Sequence, residues 1–140
     1  MKPYLTCYLG VAHTWLCDHN NHLNTRHYVG MFDDAMQHFF NMLGYESEEN
    51  FGWADVHHSI SYKAEVKPGS LVHVDCALIK LGGKSIKYRQ NLILTNTEEI
   101  AASNDATTVL FDQVARKAVG VPEIIRENAL SFTLSDSDLT

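Results

Sequence analysis

The stretch TRHYVGMFDDAMQHFFNML, from Thr25 to Leu43, decides the fold. Apolar side chains recur in it at steps of three or four residues, which places them on one face of an α-helix. These side chains are Tyr28, Phe32, Ala35, Phe39 and Leu43. Three methionines and Phe40 widen the apolar face, so we expect a sheet and a second partner to enclose the helix. Asn24 or Thr25 can cap its start, and Gly44 suits its end.

The rest of the chain has the two-residue repeat of β-strands. The predicted strands are residues 4–12, 54–66, 71–81, 84–95 and about 100–111. Pro68-Gly69 marks one turn, and Gly82-Gly83 suits the positive φ angles of a tight hairpin. This order of elements predicts an α+β domain in which one long helix packs on an antiparallel sheet.

Length and composition are those of one ordinary globular domain. The chain has 140 residues, of which 45% are hydrophobic and 20% charged. A chain of this size buries a core without support from metals or disulfides. We expect the domain to span residues 1–130. Residues 131–140 are rich in Ser, Asp and Thr, so we expect a flexible C-terminal tail there.

The chain is acidic, since 11 Lys and Arg against 17 Asp and Glu give a net charge of −6 with neutral histidine. This balance disfavours nucleic acid and anionic membranes as partners. Cys7, Cys17 and Cys76 are odd in number and form no Cys-x-x-Cys pair, which favours a reducing cytoplasm over secretion. No apolar stretch approaches the roughly 20 residues of a membrane span.

A polar segment, WLCDHNNHLN, leads from Trp15 to Asn24 directly into the predicted helix. It brings a carboxylate, Asp18, to a helix N-terminus whose free N–H groups can face an anion. Asp18 could then be a general base or a nucleophile, and N–H groups near Thr25 and Arg26 could stabilise an oxyanion. This combination suits acyl transfer. The alternative is a turn rich in Asn and Asp that only caps the helix.

The pattern Asp18-x-Asn20-x-His22-x-Asn24, followed by Tyr28, resembles the N-terminal signature of hotdog-fold acyl-CoA thioesterases of the 4-hydroxybenzoyl-CoA thioesterase type. It is most similar to the thioesterases of carnitine catabolism, which act on betainyl-CoA. The resemblance implies a single hotdog domain, with one central helix wrapped by an antiparallel sheet. It also implies that Asp18 is catalytic and that the backbone near Thr25 and Arg26 binds the oxyanion.

The same resemblance assigns His22 and Asn24 to the loop that shapes the site. Asn21 stands where the family usually has glycine, and asparagine is tolerant of left-handed backbone. Leu16 and Thr25 also depart from the family pattern, at positions where an acidic residue and a second asparagine are frequent. The class of enzyme therefore follows from the resemblance more directly than the substrate does.

Two further groups of residues are candidates for substrate binding. Aromatic side chains that could line an acyl pocket are Trp15, Tyr28 and Trp53, although Tyr28 is also a natural core residue of the helix. Basic side chains that could hold the phosphates of coenzyme A are Lys84, Lys87 and Arg89, of which the last two share a strand face. Solvated charges on an outward face are the alternative interpretation of this basic group.

Eight histidines invite a metal hypothesis, but no Glu or Cys completes a zinc pattern around His19 and His22. We therefore expect no metal, and no cofactor beyond the coenzyme A of the substrate.

The predicted function is hydrolysis of a small acyl-CoA, betainyl-CoA being one candidate, by a cytoplasmic homodimer or homotetramer. One alternative is a hotdog enoyl-CoA hydratase or dehydratase, whose Asp-x-Asn-x-x-His spacing is not met here because His22 follows Asn20 by two positions. The other alternative is a hotdog domain that binds acyl-CoA without catalysis.

Overall fold

A long helix lies against one face of an antiparallel sheet in the computed structural model, which describes residues 3–139. The strands are β1 (Leu5–Val11), β2 (Phe51–Tyr62), β3 (Leu71–Leu81), β4 (Ser85–Leu94), β5 (Glu99–Asp112) and β6 (Lys117–Val119). The helices are α1 (Thr25–Met42), α2 (Glu123–Asn128) and α3 (Asp136–Leu139), with 3₁₀ turns at Thr14–Leu16 and Leu130–Phe132. The predicted α+β class and the five long strands are confirmed, whereas β6, α2 and α3 were not foreseen.

Helix α1 begins and ends where its sequence predicts. The side chain of Asn24 accepts a hydrogen bond from the N–H of Arg26, so Asn24 is the N-cap. Gly44 has a φ of +101°, the left-handed conformation that ends many helices at this position. The helix buries one face against the sheet, through Tyr28, Met31, Phe32, Ala35, Met36, Phe39 and Phe40.

The sheet order is β1-β3-β4-β5-β2, with β6 added beside β5. Every pairing between these strands is antiparallel, and short turns join β3 to β4 and β4 to β5. Gly69 has a φ of +84° in the predicted turn before β3. The hairpin between β3 and β4 also forms, closed by a bond of 2.8 Å from Gly82 N–H to the carbonyl of Ser85. Neither Gly82 nor Gly83 has a positive φ angle, so this part of the prediction is wrong.

Strand β2 differs most from its sequence pattern. The predicted alternation over residues 54–66 is interrupted by a bulge between Asp55 and His57, which leaves Val56 62% exposed. Regular pairing then stops at Tyr62, and the N–H groups of Lys63 and Ala64 both donate to the carbonyl of Ala101. Residues 63–66 therefore leave the sheet and approach the start of α1.

A buried polar chain joins the sheet to the middle of α1. Nε2 of Gln90 donates to the main-chain carbonyl of Phe32 at 2.7 Å, and its Oε1 accepts from Nδ2 of Asn104 at 3.0 Å. Nδ2 of Asn104 also lies 3.1 Å from Nδ1 of His58. A carbonyl inside a helix normally bonds only within the helix, so this contact ties α1 to β4 at a defined position.

The C-terminal segment folds back onto the domain. Asn128 donates to the carbonyl of Leu43 at 2.9 Å, and the N–H of Leu134 donates to the carbonyl of Leu78 at 2.7 Å. The side chain of Leu134 is only 5% exposed, although it lies in the stretch that we expected to be a flexible tail. The predicted bounds of domain and tail extend to residues 1, 2 and 140, which lie outside the described residues.

Candidate functional site

The segment before α1 forms a tight loop around Asp18. The N–H of Asp18 donates to the carbonyl of His22 at 3.0 Å, and the N–H of Asn21 donates back to the carbonyl of Asp18 at 2.9 Å. Asn21 has a φ of 63°, which is the left-handed conformation that an asparagine tolerates in place of glycine. The loop can therefore keep its shape without the glycine usual in the resembling family.

Two hydrogen bonds orient the carboxylate of Asp18, which is half-buried. The N–H of Asn20 donates to Oδ1 at 2.9 Å, and Nδ2 of Asn24 donates to Oδ2 at 3.0 Å. Bonds of this kind to a charged carboxylate are stronger than those between neutral groups. Asp18 is therefore a fixed acceptor beside the first turn of α1.

Thr25 and Arg26, the residues predicted to offer N–H groups to an oxyanion, open this first turn. Oδ1 of Asn24 accepts the N–H of Arg26 at 3.1 Å, so that donor is already used by the cap. The N–H of Thr25 has no acceptor among residues 3–139. Of the two predicted donors, only Thr25 therefore keeps an N–H available for a ligand.

A cavity of about 350 Å³ opens beside this turn. Its lining residues are His22, Leu23, Thr25, Tyr28, Tyr62, Lys63, Ala64 and Glu65. The rings of Tyr28 and Tyr62 meet edge to face with their centroids 5.0 Å apart, and Tyr62 is half exposed. Burial raises the pKa of the Tyr28 hydroxyl, and the nearby Tyr62 and Cys17 add to the rise, so it is a neutral hydrogen-bonding group at physiological pH.

The structure of one chain does not bring the three predicted pocket aromatics together. Trp15 is 74% exposed and stacks on His13 at 4.3 Å between ring centroids. Trp53 packs against Phe40, near the other end of α1 and about 22 Å along the helix axis from Thr25. Of the three, only Tyr28 lines the cavity, because Trp53 is half-buried and packs against the core elsewhere.

The predicted basic group also lies away from this cavity within one chain. On β5, Thr107 pairs with Lys87, whereas Ala102 pairs with Tyr62 in the cavity wall. These two positions are about 17 Å apart along β5. Arg89 makes two bonds to the carboxylate of Asp105, at 2.7 and 3.0 Å. These bonds raise the pKa of the Arg89 guanidinium and occupy it. Lys84 and Lys87 are exposed.

Among the cavity residues that were not predicted for the site, Glu65 is the one with a carboxylate side chain. Oε2 of Glu65 lies 3.3 Å from Nε2 of His22. The two-residue repeat assigned Glu65 to the outer face of a strand, and it points to the loop only because β2 ends at Tyr62. A carboxylate near the end of the expected strand was visible in the sequence, but its direction was not.

Three further observations concern the described residues as a whole. Within residues 3–139, no three His, Cys, Asp or Glu side chains are arranged to hold a metal ion. No helix in the described part of the chain has both the length and the apolarity needed to cross a bilayer. The three cysteines are free, with Cys7 and Cys76 buried and Cys17 half-buried.

The sequence model of the thioesterase-like superfamily matches residues 11–129. This range includes the Asp18 loop, α1 and the four strands β2 to β5. The chain therefore belongs to the thioesterase-like superfamily, a class of thioester-hydrolysing enzymes. The predicted hotdog domain is confirmed, and so is the resemblance at the level of the superfamily. No curated protein matches the chain.

Several solved structures are similar to the chain in fold. A protein of Pseudomonas aeruginosa shares 21% identity and a TM-score of 0.83, with 95% of this chain and 94% of that chain covered. A hypothetical protein of Staphylococcus aureus, solved in complex with CoA, shares 17% identity and a TM-score of 0.82, with coverage of 96% and 89%. A 1,4-dihydroxy-2-naphthoyl-CoA thioesterase from Synechocystis shares 14% identity and a TM-score of 0.77, with coverage of 90% and 95%.

Proposed function

We propose that this protein hydrolyses small acyl-CoA thioesters to the free acid and coenzyme A, with Asp18 as the catalytic carboxylate. The observation that carries the proposal is the position of Asp18, which Asn24 ties to the capped start of α1. Membership of the thioesterase-like superfamily supports the reaction class. The complex of the similar Staphylococcus aureus protein with CoA supports the type of substrate.

In the proposed reaction the thioester carbonyl lies at the start of α1. The free N–H of Thr25 and the helix dipole stabilise the negative charge that develops on the carbonyl oxygen. Asp18 either attacks the carbonyl carbon or removes a proton from the attacking water. The C–S bond breaks, and coenzyme A leaves as its thiol.

The resemblance to the thioesterases of carnitine catabolism makes betainyl-CoA our first candidate substrate. The cavity beside α1 supports a small acyl group, since its volume is about 350 Å³. The rings of Tyr28 and Tyr62 offer aromatic surface to a trimethylammonium group, and such contacts favour cations. Two similar structures are named as thioesterases of gentisyl-CoA and 1,4-dihydroxy-2-naphthoyl-CoA. These aromatic thioesters are the alternative candidate substrates.

We propose further that the active form is a homodimer or homotetramer and works in the cytoplasm. Strand β2 ends the sheet order, so its outer edge has no partner within residues 3–139, and Val56 and Tyr62 are exposed along it. A second copy can pair with this edge. Lys84 and Lys87 could then serve a site that includes residues of both subunits. Light scattering of the native protein tests the assembly, and an active monomer contradicts it.

The function is tested by thiol release from a panel of betainyl, aryl, short-chain and long-chain CoA thioesters. We expect Asp18→Asn to lose at least about 100-fold in kcat, as is usual for a residue that takes part directly. Asp34→Asn, which changes an exposed carboxylate of α1 outside the loop, is the matched control and should keep the native rate. Native activity that survives in Asp18→Asn contradicts the role of Asp18.

If the folded protein releases no thiol from any thioester, the hydrolase proposal is wrong. Loss of the conjugated double bond of an enoyl-CoA would then favour the hydratase, and tight binding without turnover would favour the non-catalytic domain.

A further inference from the structure

His22 and Glu65 form a pair in the wall of the cavity beside α1. Nε2 of His22 lies 3.3 Å from Oε2 of Glu65, and the two side chains are 37% and 60% exposed. Both residues line the cavity, together with Thr25 and Tyr28 at the start of the helix. The imidazole is therefore reached by solvent or substrate on one side and held by a carboxylate on the other.

The backbone fixes this pair relative to Asp18. The carbonyl of His22 accepts the N–H of Asp18 at 3.0 Å, and the next residue, Leu23, donates its N–H to the carbonyl of Val66 at 2.7 Å. His22 is thus bonded to the Asp18 loop, and its neighbour Leu23 is bonded to the segment that carries Glu65. Since Leu23 is only 3% exposed, this junction is anchored in the core.

A contact with a carboxylate determines how a histidine works. When one ring nitrogen donates to a carboxylate, the ring orientation is set and the other nitrogen is left to exchange protons. Nε2 is the ring nitrogen that lies 3.3 Å from Glu65, so we assign the other nitrogen, Nδ1, to the substrate.

We propose that His22 donates the proton that the departing thiolate of coenzyme A takes up, and that Glu65 positions His22 for this step. The inference rests on the proposed hydrolysis and adds a catalytic residue to it. As the C–S bond breaks, its electron pair goes to sulfur, and sulfur takes a proton from Nδ1 of the imidazolium. Asp18 takes the proton of the attacking water and later loses it to solvent, while the partly exposed imidazole of His22 regains a proton from solvent, so both groups return to their starting state. No further reactant is needed.

The leaving group distinguishes this role from a structural one. An aryl thiolate is a weaker base than an alkyl thiolate and needs less proton donation, so it should leave almost as fast without His22. The test compares the CoA thioester of the best acyl group with the thiophenyl ester of the same acid. For each substrate, kcat of the variant is divided by kcat of the native protein, which removes differences in binding.

We expect His22→Gln to lower kcat on the CoA thioester by about 100-fold and kcat on the thiophenyl ester by less than about threefold. Glu65→Gln should show the same selectivity with a smaller loss, because the imidazole is still present but less well oriented. Added imidazole should restore part of the CoA-thioester rate in His22→Ala. His19→Gln and Glu49→Gln, which change exposed groups outside the cavity, are the matched controls.

Equal losses on both substrates overturn the proton donation by His22 and leave the hydrolase proposal standing. An unchanged rate of His22→Gln on the CoA thioester also overturns the proton donation and leaves the hydrolase proposal standing. A native protein that hydrolyses neither thioester overturns both proposals. Thermal unfolding of each variant is measured alongside, and the imidazole rescue of His22→Ala identifies a folded protein that lacks only the proton donor.

Discussion

Asn24 links the carboxylate of Asp18 to the first turn of α1. Its Nδ2 donates to Oδ2 of Asp18 at 3.0 Å, while its Oδ1 accepts the N–H of Arg26 at 3.1 Å. One amide therefore caps the helix and orients the proposed catalytic group. The stability of the helix and the geometry of the site are coupled through this side chain.

Asn24→Ser separates these two roles, since serine is as good an N-cap as asparagine but has no amide to reach Asp18. We expect the free energy of unfolding to change by only a few tenths of a kcal/mol. The turnover of acyl-CoA should fall at least about tenfold, because a catalytic group that is poorly positioned is much less effective. Urea denaturation and thiol release measure the two effects.

Asn20→Ser is the control for this variant, because Asn20 contacts Asp18 through its main-chain N–H and not its side chain. It should keep both stability and rate. If Asn24→Ser has the native rate, the amide of Asn24 does not orient Asp18.

Leu134→Ala should destabilise the domain, because this side chain is 5% exposed and its N–H bonds to β3. Truncation of a buried leucine costs about 2–5 kcal/mol. Leu130→Ala makes the same chemical change at a side chain that is 89% exposed, and should alter the free energy of unfolding by less than about 0.5 kcal/mol. Equal effects of the two variants in urea denaturation would mean that residues 131–139 do not pack on the domain.

Gln90→Leu should also be destabilising, although leucine is apolar and of similar size. The substitution removes the bonds of Gln90 to the carbonyl of Phe32 and to Asn104. Polar groups left buried without partners cost about 1–3 kcal/mol each. Gln37→Leu, on the exposed side of α1, should be nearly neutral. A Gln90→Leu protein as stable as the native one would show that water replaces these bonds.

Tyr88 makes stability depend on pH at the alkaline end. Burial raises the pKa of its hydroxyl, and the bond to Thr108 offsets only part of this rise. Because the folded state holds the proton more tightly than the unfolded state, its stabilising effect is complete below about pH 10, the ordinary tyrosine value. It is then lost as the pH rises towards the folded pKa.

We therefore expect the urea concentration at the unfolding midpoint of the native protein to decrease when the pH is raised from about 9 to about 11. This range brackets the ordinary tyrosine pKa. Tyr88→Phe should show a smaller fall, since it has no proton to lose at this position. The remaining fall comes from Tyr8, Tyr28 and Tyr45, whose pKa values burial also raises. The same pH dependence in Tyr88→Phe would contradict the assignment.

Local patterns were sufficient for the elements that depend on neighbouring residues. The periodicity of α1, the cap at Asn24 and the left-handed Gly44 involve side chains and backbone within a few positions, so they are visible along the chain. The Asp18 loop was found in the same way, because its hydrogen bonds join residues 18–24 to one another. The tolerance of Asn21 for left-handed backbone also follows from its residue type alone.

Contacts between distant segments could not be predicted in this way. The bulge at Val56 shifts the faces of β2, and the early end of that strand turns Glu65 towards His22. Leu134 packs on β3 although its surrounding sequence is polar. Each of these depends on strand register and on burial of surface from segments far apart in the chain, which no short-range pattern contains.

The amino-acid order is thus enough to define the class of fold, the long helix and the carboxylate at its start, because period, capping and turn chemistry act over a few residues. Folding decides which side chains share the cavity. Packing places Trp53 against the core near the other end of α1 and pairs Arg89 with Asp105, while it brings Glu65 to His22. These outcomes come from the competition of many side chains for one interior, which is a property of the assembled domain.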